Sequence, residues 1–340
     1  MSILQNVNSP KDIKLLDISQ LEQLAKEIRE LILDVVLKKG GHLSSNLGVV
    51  ELIIALHYVF DFDSDRLLLD VGHQCYAHKI LTGRKDDFAS LRDLGGVAGF
   101  PKREESIYDA ANTGHSSTSI SLACGLLRSD IDESKEVVAL IGDGAMTGGL
   151  VYEALNDVST LNKKFIAIIN NNDMSISLNV GGIAEYLRDL DSIRKPFNEY
   201  GIAYFGSVDG HNLNDLICAL SRAKSTEKSI IINVHTVKGK GYPDAEAHPD
   251  KYHSYSPCHG SCAQSFSCVM GNKLAEIAKN NKDVFAITAA MADGTGLSAV
   301  RDCTPEQFAD VGIAEAHGLC MASGMAIGGK KPYFAVYSSF

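Results

Sequence analysis

Two short polar motifs each follow an apolar run in this 340-residue sequence. Gly142-Asp143-Gly144 comes directly after the run 137–141, and Asn172 stands just beyond the run 165–169. Unbroken apolar runs bounded by polar residues are typical of central strands in a parallel sheet. The 28 residues between Asp143 and Asn172 are enough for a crossover helix and the next strand. We therefore expect both side chains to emerge side by side at the carboxyl edge of a sheet.

A carboxylate beside an amide oxygen indicates metal-assisted binding of phosphate. Both are hard oxygen ligands that suit Mg²⁺, which keeps coordination positions for diphosphate oxygens and water. Gly144 would let a diphosphate approach the backbone, and a helix starting near Gly148 would offer its N–H groups and the positive end of its dipole. A plain Gly-Asp-Gly turn is the alternative for the first motif taken alone. The strand context and the paired asparagines favour a magnesium and diphosphate site.

The elements that would position these motifs alternate between strand and helix. Apolar runs at 137–141, 165–169 and 230–234 predict buried strands, and helical patterns cover 148–158 and 213–223. The alternation is typical of an α/β fold with a doubly wound parallel sheet, in which ligands bind at the carboxyl ends of the strands. We assign residues 1–242 to this domain.

Two helices and a strand are predicted ahead of the first motif. Ser19 and Glu22 have the spacing of a capping box that opens a helix, and Gly40-Gly41 ends it. A second helix covers 49–58. The run 66–70 then predicts a short buried strand that delivers His73 to a loop.

A change of composition separates this domain from the rest of the chain. Residues 243–265 are rich in Pro, His, Ser, Tyr, Cys and Asp, which indicates a linker that could fold over the site. A second α/β unit follows at 266–340, with helices at 270–279 and 314–327 and strands at 284–288 and 332–336. Because so few strands make a small unit, we expect an incomplete second domain.

Composition and charge exclude several classes of function. The 32 Lys and Arg against 42 Asp and Glu give a net charge of −10, which argues against a large basic surface for nucleic acid. No apolar run approaches the roughly 20 residues of a membrane span, and the polar N-terminus has no apolar signal core. We therefore expect a cytoplasmic protein without nucleic-acid or membrane partners.

Most of the eight cysteines are isolated in the sequence, which is typical of reduced thiols in the cytosol. Cys258, Cys262 and Cys268 form a cluster beside His253 and His259. Such a grouping could bind zinc or an iron–sulfur cluster, but its spacing matches no standard ligand pattern. A cysteine-rich linker is the simpler interpretation.

Seven longer stretches carry a more specific pattern. They are Gly41-His42-Leu-Ser-Ser-Asn-Leu-Gly48, Asp70-Val-Gly-His73-Gln-Cys-Tyr-Ala-His78-Lys-Ile-Leu-Thr-Gly-Arg84, Gly114-His115-Ser-Ser-Thr-Ser-Ile-Ser121, Met174-Ser-Ile-Ser177, Val208-Asp-Gly-His211, Lys238-Gly-Lys-Gly-Tyr242 and Asp310-Val-Gly-Ile-Ala-Glu315-Ala-His317. Together they resemble the 1-deoxy-D-xylulose-5-phosphate synthases, a family of thiamine-diphosphate enzymes. The likeness covers essentially the whole chain, and the related transketolases differ around the second and last stretches. It implies a thiamine-diphosphate-binding fold followed by a truncated pyrimidine-binding domain.

The resemblance also implies roles for individual residues. The magnesium ligands fall on Asp143, Asn172 and the carbonyl of Met174, of which the first two agree with the sheet pattern. Cofactor contacts fall on His73, Gly114, His115, Ser116, Gly144, Ala145, Asn172, Tyr242, Glu315 and Phe340.

Three residues are implied in catalysis: His42, His253 and Glu315. Glu315 matches the glutamate that hydrogen-bonds N1′ of the aminopyrimidine. A histidine can donate to a pyruvate carboxylate or transfer a proton near neutral pH. By residue type alone, Glu315 could be a first-turn glutamate stabilised by a helix dipole, and His42 could cap a helix end. Phe340, which the resemblance assigns to packing on the pyrimidine ring, could be a frayed terminus.

The implied reaction joins pyruvate to glyceraldehyde 3-phosphate, giving 1-deoxy-D-xylulose 5-phosphate and CO2 with thiamine diphosphate and Mg²⁺ as cofactors. The family enzymes are much longer, and the arginines that hold the acceptor phosphate belong to the part this chain lacks. The segment 178–198 is also shorter than in the family.

Three interpretations follow from the difference in length. The chain could be one subunit of a split synthase, a cofactor-binding protein without turnover, or an N-terminal subunit of the transketolase type. We expect it to associate, either as a homo-oligomer or with a complementing C-terminal subunit.

Overall fold

Five short strands form the first sheet of the computed structural model, which describes residues 2–129, 135–161, 163–174, 179–188, 197–257 and 265–338. The strands are β1 (Arg66–Leu69), β2 (Val137–Gly142), β3 (Ile166–Asn171), β4 (Ala203–Asp209) and β5 (Ile230–His235). They are all parallel and are ordered β1-β2-β3-β5-β4.

Alternate residues of the central strands enter two different apolar cores. In β2, Val138 and Leu140 pack with the helices Ile18–Lys39, Val50–Val59 and Leu213–Ser225. Val137, Ala139 and Ile141 face the other way and pack with the helices Ser119–Arg128 and Gly149–Val158. Burial on both faces removes the need for polar alternation, which is why the runs are continuously apolar. The predicted doubly wound parallel sheet is confirmed.

The pairing of β2 with β3 brings the two polar motifs to one edge. Gly142 lies opposite Asn170 in the register of the two strands. The Asp143 N–H then donates to the Asn170 carbonyl at 3.1 Å, which extends the ladder by one residue. Asp143 and Asn172 therefore leave the sheet side by side, as the sequence predicts.

The first long helix, Ile18–Lys39, begins slightly earlier than predicted. Asp17 accepts a hydrogen bond from Gln20 N, and the Gln20 side chain accepts one from Asp17 N, both at 2.9 Å. The capping box is therefore Asp17 and Gln20, and the prediction of Ser19 and Glu22 is wrong. The helix ends at Gly40, whose φ of +85° suits glycine.

The remaining helices lie between the strands and around the two sheets. In the described ranges they are Pro10–Ile13, Leu43–Leu47, Val50–Val59, Tyr76–Lys79, Ser119–Arg128, Gly149–Val158, Gly182–Arg188, Leu213–Ser225, Pro243–Ala247, Phe266–Asn280, Ser298–Cys303 and Glu315–Ile327. Among these residues no helix combines the length and the apolar character needed to cross a membrane.

Strand β4 is absent from the sequence predictions. It lies at the edge of the sheet and most of its residues are only half-buried, so it has no continuous apolar run. Its register against β5 shifts between Phe205 and Val208. The shift occurs at Gly206, where a Cβ would come within 2.6 Å of the Asn233 carbonyl.

The segment predicted as a linker is partly structured. It opens with the helix Pro243–Ala247. Farther on, Tyr255 and Gly41 form an antiparallel bridge with hydrogen bonds of 2.7 and 2.8 Å between their backbones. The bridge folds the segment back over the start of the helix Leu43–Leu47 and brings His253 with it.

The second sheet is smaller and less covered. Its strands β6 (Val284–Thr288), β7 (Phe308–Asp310) and β8 (Lys331–Ala335) are parallel and ordered β7-β6-β8. The helix Glu315–Ile327 buries Gly318 and Ala322, whereas Leu319 and Ile327 are 59% and 90% exposed. This helix therefore presents a largely apolar surface outward.

A buried polar network fixes the loop that follows the helix Tyr76–Lys79. Arg84 donates to both oxygens of Asp109 at 2.8 and 2.9 Å. His78 Nε2 lies 2.9 Å from Asp109, and His78 Nδ1 lies 3.0 Å from His57. Burial alone would raise the pKa of Asp109, but the hydrogen bonds from His78 and Arg84 hold it well below its usual range.

Removing one member of this network should destabilise the fold strongly. The change Asp109→Ala leaves the buried His78 without its carboxylate and Arg84 with the Glu105 carboxylate at 3.0 Å in place of two, so we expect the free energy of unfolding to fall by about 3–5 kcal/mol. The exposed pair of Arg128 and Asp157, at 2.6 Å, offers a matched control, and Asp157→Ala should cost less than about 1 kcal/mol. Urea denaturation measures both changes. Equal losses in the two variants would contradict a stabilising role for the network.

Candidate active site

The Asp143 carboxylate lies at the carboxyl end of β2 and is only 2% exposed. Its Oδ1 accepts a hydrogen bond from Gly144 N at 2.9 Å, and its Oδ2 accepts from Asn172 N at 3.3 Å and from the Asn179 side chain at 3.0 Å. Burial raises the pKa of Asp143 to about 6. A Cβ at neighbouring Gly142 would meet no atom within 4 Å, so the space above this turn is open.

The predicted metal ligands are consistent with a hard cation. The Asn172 Oδ1 is buried and has no hydrogen-bond partner among the described residues. A buried acceptor without a donor, next to a desolvated carboxylate, provides the oxygen ligands that Mg²⁺ takes. Met174, whose carbonyl is the third predicted ligand, is half-buried two residues farther on.

Asp70 at the end of β1 positions the loop with the predicted contacts Gly114, His115 and Ser116. Its carboxylate accepts hydrogen bonds from Ser117 N at 2.8 Å and Ser119 N at 2.9 Å. The Ser117 hydroxyl then donates to the carbonyl of Ala145 at 2.7 Å. These bonds bring residues 114–116 beside Gly144 and Ala145, so two predicted groups of cofactor contacts meet.

His42, His73 and His253 form a second cluster. The ring centroid of His42 lies 5.6 Å from those of His73 and His253, and the latter two are 5.4 Å apart. Phe100, which sequence reasoning missed, packs edge-on against His42 at 5.5 Å. The structure thus brings together the two histidines implied in catalysis and one implied in cofactor binding.

Asn46 ties two of these histidines to each other and was also missed. It is fully buried, and its amide nitrogen donates to the carbonyls of His42 at 2.6 Å and His73 at 2.7 Å. Its Oδ1 accepts a hydrogen bond from Tyr76 N at 2.8 Å. Asn46 lies within the quoted stretch 41–48, but its role depends on contacts that are distant in sequence.

The histidines of the cluster are neutral near pH 7. Burial, followed by the charges of Arg92 and Lys238, lowers the pKa of His42 to about 4. Burial also holds the pKa values of His73 and His253 well below the usual range. The Nδ1 atoms of His42 and His73 are buried and have no hydrogen-bond partner within the described ranges, so their hydrogen-bonding capacity is unused there.

Lys238 lies between the carboxylate and the histidines. Its side chain is buried, which lowers its pKa to about 8, while the charges of Asp143 and Asp250 oppose that shift. Sequence reasoning named only Tyr242 from this glycine-rich stretch. Tyr242 is half-buried and packs edge-on against Tyr252 with ring centroids 5.6 Å apart.

Glu315 belongs to the second unit, at the first turn of the helix Glu315–Ile327, and is half-buried. The loop before it approaches the first unit, because a Cβ at Gly312 would lie 3.1 Å from Val180 Cγ2. Val180 follows Asn179, whose side chain holds Asp143. The last cofactor prediction, Phe340, lies outside the described residues.

The proposed cysteine cluster is also only partly described, since Cys258 and Cys262 lie outside the described ranges. Cys268 is a half-buried free thiol on the helix Phe266–Asn280. Within the part of the chain that the structure describes, no group of three or more His, Cys, Asp and Glu side chains could hold a metal ion.

The low pKa of His42 has a consequence for stability. The unfolded state binds a proton near pH 6.5 and the folded state only near pH 4, so folding loses stability as the pH falls from 6.5 towards 4. Between pH 7 and pH 5, His42 should account for a loss on the order of 2 kcal/mol. Chemical denaturation of wild type and His42→Gln at both pH values measures it, and the variant should lose correspondingly less. Equal losses would contradict the neutral, desolvated state of His42.

Comparison with solved structures places the architecture among the transketolases. The chain superposes on transketolase from Campylobacter jejuni with a TM-score of 0.58 and 19% identity, over 95% of this chain and 66% of that one. Transketolase from Leishmania mexicana gives a TM-score of 0.56 at 17% identity, over 93% and 64% of the two chains. At these identities the likeness concerns the fold alone.

Sequence comparison is more specific. A 1-deoxy-D-xylulose-5-phosphate synthase from Clostridium perfringens strain SM101 is 46% identical over 387 aligned positions, which cover 99% of this chain and 62% of the relative. The same enzyme from Clostridium botulinum strain Alaska E43 is 46% identical, with 100% and 63% covered. The chain thus spans about three fifths of the length of these relatives. The aligned positions also outnumber its 340 residues, so the relatives contain internal segments that it lacks.

Two family models match consecutive parts of the chain. The model for the transketolase pyrimidine-binding domain matches residues 263–340. The model for 1-deoxy-D-xylulose-5-phosphate synthase matches residues 4–196 and 192–236, and the two matches meet within the segment predicted to be short. The chain therefore belongs to the 1-deoxy-D-xylulose-5-phosphate synthase family.

Proposed function

We propose that the chain binds thiamine diphosphate with Mg²⁺ and takes part in the condensation of pyruvate with glyceraldehyde 3-phosphate. The products would be 1-deoxy-D-xylulose 5-phosphate and CO2, in a transferase reaction of the transketolase type. One observation carries the proposal: the buried Asp143 carboxylate lies beside Asn172 Oδ1, which has no hydrogen-bond partner among the described residues, at the edge of β2 and β3. A divalent cation with diphosphate oxygens would satisfy both groups.

We assign different parts of the cofactor to the two sheets. Residues 1–242 would hold the diphosphate and the metal, 243–265 would link the units, and 266–340 would hold the pyrimidine. Asp143, Asn172 and the Met174 carbonyl would bind Mg²⁺. The other cofactor contacts would come from His73, Gly114, His115, Ser116, Gly144, Ala145, Tyr242, Glu315 and Phe340.

Thiamine diphosphate, when bound, supplies a nucleophilic thiazolium carbon and an electron sink for decarboxylation. Glu315 would share a proton with N1′ of the aminopyrimidine. His42 and His253 are neutral, so each has one donor and one acceptor nitrogen; His253 Nδ1 lies 3.3 Å from Ser45 Oγ, which leaves its Nε2 for a substrate carboxylate or hydroxyl. Lys238 adds a buried positive charge beside them, which would favour an anionic substrate.

The chain is shorter than its relatives, which suggests a partner that supplies the missing part of the site. We propose that the groups which hold the acceptor phosphate lie on polypeptide beyond these 340 residues, such as a complementing chain, and that the chain associates with that partner or with copies of itself. Pyruvate and glyceraldehyde 3-phosphate would be the small-molecule partners. Nucleic acid and membranes would have no role, and the protein would act in the cytoplasm.

The second candidate is a protein that binds the cofactor without turnover. The open apolar surface of the helix Glu315–Ile327 favours it for the isolated chain, because Glu315 then stands on a poorly covered element. Release of CO2 from pyruvate by the isolated chain would favour the enzyme. Cofactor binding without CO2 release would favour the alternative.

The metal assignment can be tested at two neighbouring aspartates. The change Asp143→Asn removes the buried charge, and we expect Mg²⁺-dependent affinity for thiamine diphosphate to fall on the order of 100-fold. Asp173 is exposed and pairs with Arg188 at 3.2 Å, so Asp173→Asn is a matched control with little expected effect. Isothermal titration calorimetry measures both. Unchanged affinity in Asp143→Asn would refute the assignment.

The proposed role of Glu315 predicts a separation of binding from proton transfer. In Glu315→Gln the diphosphate and metal contacts remain, so cofactor affinity should change only a few-fold. Deuterium exchange at the thiazolium carbon, followed by NMR, should slow by about 100-fold or more, because a positioned acid–base group contributes that much. Wild-type exchange in the variant would remove Glu315 from the proposal.

A further inference from the structure

Arg29, Glu51 and His211 form a partly buried triad, here called the His211 clamp, behind the loop 236–242. Arg29 donates to both carboxylate oxygens of Glu51 at 2.5 Å, and His211 Nδ1 lies 3.2 Å from Glu51 Oε2. The three side chains are between 11% and 13% exposed. Burial alone would raise the pKa of Glu51, but the hydrogen bonds from His211 and Arg29 lower it to about 2, so the carboxylate is charged.

The tautomer of His211 follows from its neighbours. Val237 N–H donates to His211 Nε2 at 2.8 Å, so Nε2 carries no proton. The ring proton is then on Nδ1 and points at the Glu51 carboxylate. The charge of Glu51 therefore selects the tautomer that can accept from Val237.

The clamp holds the loop 236–242 at two backbone positions. One is Val237 N–H on His211, and the other is the Lys240 carbonyl, which accepts from Arg29 Nε at 3.1 Å. Between them, Gly239 N–H donates to the Ser44 carbonyl at 2.8 Å. These contacts fix the backbone on both sides of Lys238.

The loop carries two side chains that belong to the candidate active site. Lys238 is 7% exposed and lies close enough to Asp143 and to the histidine cluster for its charge to lower their pKa values. Tyr242 ends the loop. The position of both depends on the backbone that the clamp fixes.

We propose that His211 is a positioning residue that acts through the backbone of Val237 to hold Lys238 and Tyr242 at the cofactor site. The inference deepens the proposed function and rests on it for the identity of the ligand. It gives a role to the stretch Val208-Asp-Gly-His211, which none of the cofactor or metal assignments uses.

Two substitutions separate the contacts of His211. In His211→Gln, the carboxamide reaches the position of Nε2 and can accept from Val237. In His211→Asn, the shorter carboxamide matches Nδ1 and can donate to Glu51, but it does not reach Val237. Each variant therefore keeps one of the two His211 contacts, and the two replacement side chains are of similar polarity.

The first measurement does not need a ligand. Amide hydrogen exchange by mass spectrometry over residues 236–242 should be close to wild type in His211→Gln and at least about tenfold faster in His211→Asn, since one hydrogen bond is worth roughly that factor. Thermal melts of both variants test whether the whole fold is affected. Equal exchange in the two variants, or faster exchange in His211→Gln alone, would overturn the inference.

The second measurement is the dissociation constant for thiamine diphosphate with Mg²⁺. We expect it to stay within a few-fold of wild type in His211→Gln and to rise by about tenfold in His211→Asn. Faster loop exchange without weaker binding would refute the role at the cofactor site. If the wild-type chain does not bind the cofactor at all, the proposed function fails, while the exchange data still decide whether His211 holds the loop.

Discussion

A carboxylate buried at the end of a parallel strand requires hydrogen-bond donors from the loops around it. Asp143 cannot leave the sheet edge, because its own N–H completes the ladder with β3. Its negative charge then needs donors in a place that water hardly reaches, and two backbone amides and the Asn179 side chain supply them. The loops after β2 and β3 and the segment from Asn179 therefore converge on one atom group. A cation added there would strengthen an arrangement whose polarity is already established.

The histidine cluster, in contrast to Asp143, is uncharged. The ring centroids of the three imidazoles lie within 5.6 Å of one another, and the buried Lys238 is near them. Adding a proton to any of the rings is therefore unfavourable. Neutral imidazoles keep one donor and one acceptor each, whereas the positive charge beside them comes from Lys238.

The buried strands and the main motifs could be predicted because two-sided burial leaves a local signal. Residues 137–141 and 165–169 are apolar throughout, since their alternate side chains enter different cores. The edge strand Ala203–Asp209 leaves no such signal, because it is half-buried and interrupted at Gly206. Asn46 and Asn179 could not be found from the sequence, since their partners lie 27 and 36 residues away. The family resemblance named His42, His73 and His253, but their mutual packing depends on the fold of residues 243–257.

The helix Glu315–Ile327 contains two glycines, and they act differently. Gly318 is needed for close packing, because a Cβ there would come within 2.6 Å of the Phe334 ring. Gly324 meets no atom within 4 Å and weakens the helix by about 1 kcal/mol relative to alanine without gaining a contact. An element of this kind, with much of its apolar surface in water, has a low intrinsic helix stability. Contacts that cover its exposed apolar residues would therefore stabilise the helix as well as the surface between the two partners.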